Sequence, residues 1–189
     1  MKLGKTLYVP DRNKWRAWLK KNHETATEIW LVYYKKNSSK PRIPYNDAVE
    51  EALCFGWIDS TLKPIDEDKY AQRFSPRRAG SVLSEMNRER VRRLIRAKRM
   101  TRFGLEKIEH VFQEHRTKTK ETFSIPADIR KALKSDPIVW RNFNAFPESY
   151  KRIRIGWIDA SRHRPDIFEV RLQYFIRMTA KNKRFGMVQ

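Results

Sequence analysis

Trp57, Asp59, Arg73, Arg77, Arg78 and Asn87 are the side chains whose types and spacing best suit work on a ligand. Residues two apart on a strand face the same side, so Trp57 and Asp59 point together, and Arg73 falls on the strand expected to pair with theirs. Pro76 forces a turn that holds Arg77 and Arg78 near the start of a helix capped by Ser84. Two guanidiniums beside a helix N-terminus form a bidentate donor set for a phosphate or carboxylate. A purely structural arrangement fits the same residues: Trp57 in the core, Asp59 and Arg73 as a cross-strand pair, Arg77 and Arg78 solvated. Both readings stand at this point.

A second constellation is Arg88, Arg92, Arg96 and Arg99, which recur every three to four residues and form one cationic stripe if the helix runs from Ser84 to Met100. Such a stripe can track the phosphates of a nucleic acid or face an acidic protein, and each neutralised phosphate steepens the salt dependence of binding. The plainer alternative is a solvated helix face with Glu89 and Arg93 paired at i, i+4. The apolar side of this segment is narrow and lacks aromatics, which does not suit a membrane surface.

Other chemistry finds less support. Cys54 is the one cysteine and lies in the apolar run Ala52-Leu53-Cys54-Phe55, so a buried thiol is expected rather than a nucleophile. The histidines at 23, 110, 115 and 163 are scattered, and the five-residue gap between His110 and His115 does not put both on one helical face, so no metal is expected. The chain lacks GxSxG, a P-loop and GxGxxG, and no catalytic residue or cofactor is assigned.

The elements that must position these residues are readable. Leu7-Tyr8-Val9 reads as a short strand, and Asp11 as the N-cap of a helix carrying Trp15, Trp18 and Leu19 on one stripe. Residues 28–35 are β-branched and aromatic and predict a buried strand. Pro44-Tyr45-Asn46-Asp47 opens a helix that Gly56 stops. Trp57–Leu62 and Tyr70–Phe74 predict two strands around an acidic turn. Val91, Leu94, Ile95 and Met100 are expected to face inward from the Ser84 helix, and Thr101 to cap another bearing Leu105 and Ile108. Residues 113–124 read as a linker between an α+β domain over 1–112 and a helical unit over 125–189, with Trp140 and Trp157 expected as anchors of the latter. The strings Gly56-Trp57-Ile58-Asp59 and Gly156-Trp157-Ile158-Asp159 echo each other, yet their flanks predict strand for one and helix for the other.

Across 189 residues, 42 Lys and Arg face 22 Asp and Glu, for a net charge of +20. The excess is general: residues 1–83 hold 16 basic and 10 acidic side chains, 84–110 hold 9 and 4, and 111–189 hold 17 and 8. A surface so basic favours polyanionic partners. The opening lysines have no apolar run behind them and no stretch approaches a membrane span, so a cytoplasmic location is expected.

The stretch Glu51-Ala52-Leu53-Cys54-Phe55-Gly56-Trp57-Ile58-Asp59-Ser60, then Tyr70-Ala71-Gln72-Arg73-Phe74-Ser75-Pro76-Arg77-Arg78, Ser84 and Asn87, resembles the YdeI/OmpD-associated (bacteriocin-protection) family. The resemblance continues through the tail from Ile125-Pro126-Ala127-Asp128 to Arg177. Leu83 departs from it, standing where relatives often carry a Trp. The resemblance implies an α+β N-terminal part, an antiparallel sheet flanked by helices in a frataxin-like (iron-chaperone-like) arrangement. It also implies a non-enzymatic role by binding in stress or envelope protection. Iron chaperones of that fold use an acidic surface, and this chain is basic throughout. The alternatives are a nucleic-acid-binding module using the basic helix, and an enzyme or binder of a small anionic ligand at the Trp57/Asp59/Arg73 region.

Overall fold

A computed structural model of the chain describes residues 2–35, 37–110 and 123–186. The chain divides into two compact units, Met1–Val82 with Arg90–Glu114, and Leu83–Glu89 with His115–Gln189. The protein is α+β. The expected linker lies, for residues 113–122, outside the described residues, as does His115.

In the first unit β1 (Thr6–Tyr8), α1 (Arg12–Asn22), β2 (Ile29–Tyr34), α2 (Tyr45–Cys54), β3 (Trp57–Pro64) and β4 (Lys69–Pro76) follow in order. The strands form one sheet ordered β1-β2-β4-β3. The expectation of an antiparallel sheet needs a correction: β2, β4 and β3 are antiparallel, but β1 runs parallel to β2. The cause is α1, which carries the chain back between the two strands, so the pair is joined by a crossover and not a hairpin.

Asp11 caps α1 by accepting the Lys14 N–H at 2.9 Å. Trp15 and Leu19, four apart, are wholly buried on the face that α1 turns to the sheet. Trp15 stacks on Trp18, meets Phe74 edge-on, and donates its indole N–H to the Ala48 carbonyl of α2 at 3.0 Å. Ile29, Leu31, Trp57 and Phe74 share that sheet face and complete the core with Val49, Ala52 and Leu53. Gly56 ends α2 at φ +71, and a Cβ there would stand 2.7 Å from Lys107 Cγ.

The Ser84 helix, α3, spans Glu85–Arg96, with Ser84 Oγ accepting the Asn87 N–H. It stops short of Met100. Lys98 adopts φ 53, its N–H reaches the Ile95 carbonyl, and the Arg99 N–H reaches the Leu94 carbonyl, which is a Schellman ending. Val91 and Leu94 are buried as expected, whereas Ile95 is 43% exposed because it lies beyond the stripe they form. Thr101 caps α4 (Arg102–Glu106), where Leu105 is exposed and Ile108, just past it, is buried.

The second unit holds α5 (Ala127–Lys134), α6 (Pro137–Ala145), α7 (Glu148–Asp159) and α8 (Pro165–Ala180). Asp136 caps α6, with Pro137 in the first turn. Ile129, Leu133, Phe143, Tyr150, Ile158 and Phe175 form its core. Trp140 and Trp157 are half-buried and pack against that core from its rim, so the anchors are Phe143, Tyr150 and Phe175. The two Gly-Trp-Ile-Asp strings take different forms: Trp57 opens β3, whereas Trp157 lies in the last turn of α7.

Candidate functional site

The residues proposed around Asp59 do not meet. Trp57 is fully buried, donating its indole N–H to the His23 carbonyl at 3.1 Å and meeting Trp18 edge-on. Asp59 accepts the Tyr45 hydroxyl at 2.7 Å. The residue across from Asp59 on β4 is Phe74, so Arg73 projects from the opposite face of the sheet. There Arg73 pairs with Glu28 at 2.7 Å and reaches Ser60 Oγ at 3.3 Å. Its hydrogen bond, with that of Trp30, holds the Glu28 carboxyl below the usual carboxylate range. One residue of register decides this outcome.

The Arg77/Arg78 fork also separates. Arg77 is 5% exposed and one nitrogen donates to the Ser81 carbonyl, Ser81 Oγ and the Val82 carbonyl at 3.1–3.2 Å. It braces its own loop, and burial lowers its affinity for a proton. Arg78 is exposed. Asn87 is half-buried in the first turn of α3.

The arginine stripe breaks in the same way. Arg88 pairs with Glu85 at 3.3 Å, Arg92 is half-buried and Arg96 is exposed. Arg99 is carried off the helix by the Lys98 turn and sets Nη2 2.6 Å from Glu51.

What the sequence reading missed is the network that claims Arg99. Asp47, Glu50, Glu51 and Cys54 lie on one face of α2, and Arg12 and Arg16 lie a turn apart on α1. Arg12 reaches Glu51 at 2.5 Å, Glu50 at 2.9 Å and Asp47 at 3.0 Å. Arg16 reaches Glu51 at 2.5 Å and donates to the Arg99 carbonyl at 3.0 Å. Arg93 binds Glu50 rather than forming the expected partnership with Glu89. The spacings 47-50-51-54 and 12-16 carried the signal, since two such faces on adjacent helices place acids against bases.

The Glu51 side chain has no exposure. Burial by itself would raise its pKa, but hydrogen bonds from Arg16 and Arg12 outweigh it and hold the carboxyl below its ordinary value. Burial pushes the neighbouring Cys54 thiol up to about 11, with the Glu51 charge adding to the effect and Arg16 opposing it. That thiol is not an activated nucleophile at neutral pH. Four guanidiniums surround three carboxylates, so the network retains one positive charge while spending its acidic groups internally. Arg96 and Lys98, both exposed, face solvent with positive charge, and exposed Arg102 pairs with Glu106 at 2.9 Å.

In the second unit Arg154 is 6% exposed and lies under the Phe185 ring at 4.3 Å, donating to the Phe185 carbonyl at 2.7 Å. Tyr150 and Trp157 supply two further ring faces. The tail is thereby tied to α7.

Among the described residues no three His, Cys, Asp or Glu side chains gather as a metal set, and no helix is long and apolar enough to cross a membrane. No curated protein and no solved structure matches the chain, and the frataxin-like comparison is not confirmed. Residues 7–107 match the family described as a domain of unknown function (DUF8412). Residues 122–182 match the one described as bacteriocin-protection, YdeI or OmpD-associated. The chain belongs to the DUF8412 family by its N-terminal part, residues 7–107, and carries a YdeI/OmpD-associated domain over residues 122–182.

Proposed function

We propose that this protein acts by binding and not by catalysis, in protection against bacteriocins and envelope stress, and that its partner is an acidic protein surface. The observation that carries this reading is the internal use of Asp47, Glu50 and Glu51, which leaves exposed positive charge at Arg96 and Lys98 around the end of α3, with Arg102, paired to Glu106 at 2.9 Å, shortly after. Exposed positive charge complements an acidic protein patch and speeds encounter with it. The family description of residues 122–182, bacteriocin-protection, supports the protective role. The test is survival of bacteria exposed to a bacteriocin, with and without the expressed chain. Higher survival with the chain is expected, and equal survival contradicts the reading.

A second reading, a nucleic-acid-binding module, is favoured by Arg92 and Arg96, which remain one turn apart on α3. Arg88 and Arg99 of the stripe engage carboxylates, which shortens any phosphate track. Duplex binding whose log-log salt slope exceeds about two in magnitude would favour this reading over the first.

A further inference from the structure

Tyr33 is 2% exposed, on the same sheet face as Phe74, yet its hydroxyl has no hydrogen-bond partner among the described residues. Buried hydroxyls are nearly always satisfied, and one left without a partner needs an explanation such as a ligand. Its ring stacks on Tyr70 at 5.3 Å. Burial above all, then Tyr70, Tyr45 and Asp59, push its ionisation far above that of an ordinary phenol, while Arg42 opposes them. The phenol therefore stays protonated and can donate.

Two further features favour a negative ligand, and Arg42 and Tyr45 both lie close enough to act on the ionisation of Tyr33. Arg42 donates to the Tyr34 carbonyl at 3.1 Å, and no carboxylate among the described residues pairs with it. Two residues after Arg42 comes Pro44, which caps α2 without any side-chain hydrogen bond. The first-turn N–H groups of this ten-residue helix thus lack a side-chain acceptor, and an anion satisfies such groups and the helix dipole together. Of the acidic neighbours, Asp47 is paired with Arg12 at 3.0 Å, and Asp59, which accepts the Tyr45 hydroxyl at 2.7 Å, is opposed by the charge of Arg90.

We propose that Tyr33, Arg42 and the N-terminus of α2 at Tyr45 form a binding site for a small oxyanion, the carboxylate or phosphate end of a metabolite. The Tyr33 hydroxyl and the Arg42 guanidinium donate to it, and the Tyr70 face flanks it. The site is separate from Arg96, Lys98 and Arg102 and does not depend on the protective role.

The test titrates the full chain with inorganic phosphate and, separately, acetate, following backbone amide shifts and heat. Saturable shifts at Tyr45, Asn46 and Asp47 are expected for at least one probe, and which probe binds tighter tells a phosphoryl from a carboxyl ligand. Arg42→Gln and Tyr33→Phe should each weaken binding by about tenfold or more, the loss expected for a hydrogen bond to a charged group. Tyr33→Phe should leave the thermal midpoint unchanged or raise it, because it deletes a polar group without a partner. A fall in that midpoint would show the hydroxyl satisfied in the free protein and overturn the site. Shifts scattered over surface lysines, or equal binding by Tyr33→Phe, would overturn it as well.

Discussion

Arg99 sets its Nη2 2.6 Å from Oε1 of Glu51, a carboxylate without solvent exposure that lies 48 residues earlier in the chain. The contact depends on the left-handed turn at Lys98, which ends α3 and redirects the chain. A backbone conformation thus decides whether an arginine serves a surface stripe or an internal network.

Removing the charge of Glu51 leaves Arg16 and Arg99 without their carboxylate, while Arg12 keeps Asp47 and Glu50. Glu51→Gln should lower stability by about 3–5 kcal/mol in urea denaturation, the usual range for breaking a buried pair from one side. Arg99→Gln should cost about 1–2 kcal/mol, because Arg12 and Arg16 still hold the carboxylate. A loss below about 1 kcal/mol for Glu51→Gln would contradict the buried network.

The same carboxyl sets a pH dependence. Folded Glu51 titrates below an unfolded glutamate, whose pKa is about 4.3. Its contribution to stability is complete above that value and is lost as pH falls through the lower, folded one. The stability gap between wild type and Glu51→Gln should therefore hold at neutral pH and narrow as pH falls below about 4.3, through the lower folded value. A gap that stays constant over this range would assign the effect of the substitution to packing.

Cys54 is fully buried and its thiol is raised to about 11 by its surroundings. Native protein should react slowly with a thiol-specific disulfide reagent at neutral pH, and rapidly once denaturant is added. Fast labelling of the native state would mean that α2 opens or that the thiol is accessible.

In the second unit, Phe175→Ala should cost about 3–5 kcal/mol, since the ring is fully buried against Phe143 and Tyr150. Trp140→Ala should cost clearly less, because half-buried Trp140 lies at the rim of the core. Equal losses would place Trp140 in the core after all.

Much of this fold is written in local signals. Asp11, Ser84, Thr101 and Asp136 are caps by residue type, Gly56 is a stop, and the β-branched aromatic run at 29–34 is a strand. The candidate site was less legible because it turns on relations between distant segments. Whether Arg73 shares a face with Asp59 depends on strand register, and β1 runs parallel to β2 because a helix intervenes. The end of α3 at a non-glycine left-handed residue has no strong sequence mark, so the stripe was drawn one arginine too long. Tyr33 reads from sequence as an ordinary strand aromatic, and only its surroundings distinguish it.

In the proposed function, exposed positive charge serves recognition, and one variant addresses that directly. Arg96→Gln, Lys98→Asn and Arg102→Gln together remove three charges from exposed positions. Each such surface change should alter stability by no more than about 0.5 kcal/mol. The measurement is survival of bacteria expressing the triple variant under bacteriocin exposure, beside wild type and cells lacking the chain. The account predicts that the folded variant protects no better than its absence. Full protection by the variant would contradict it.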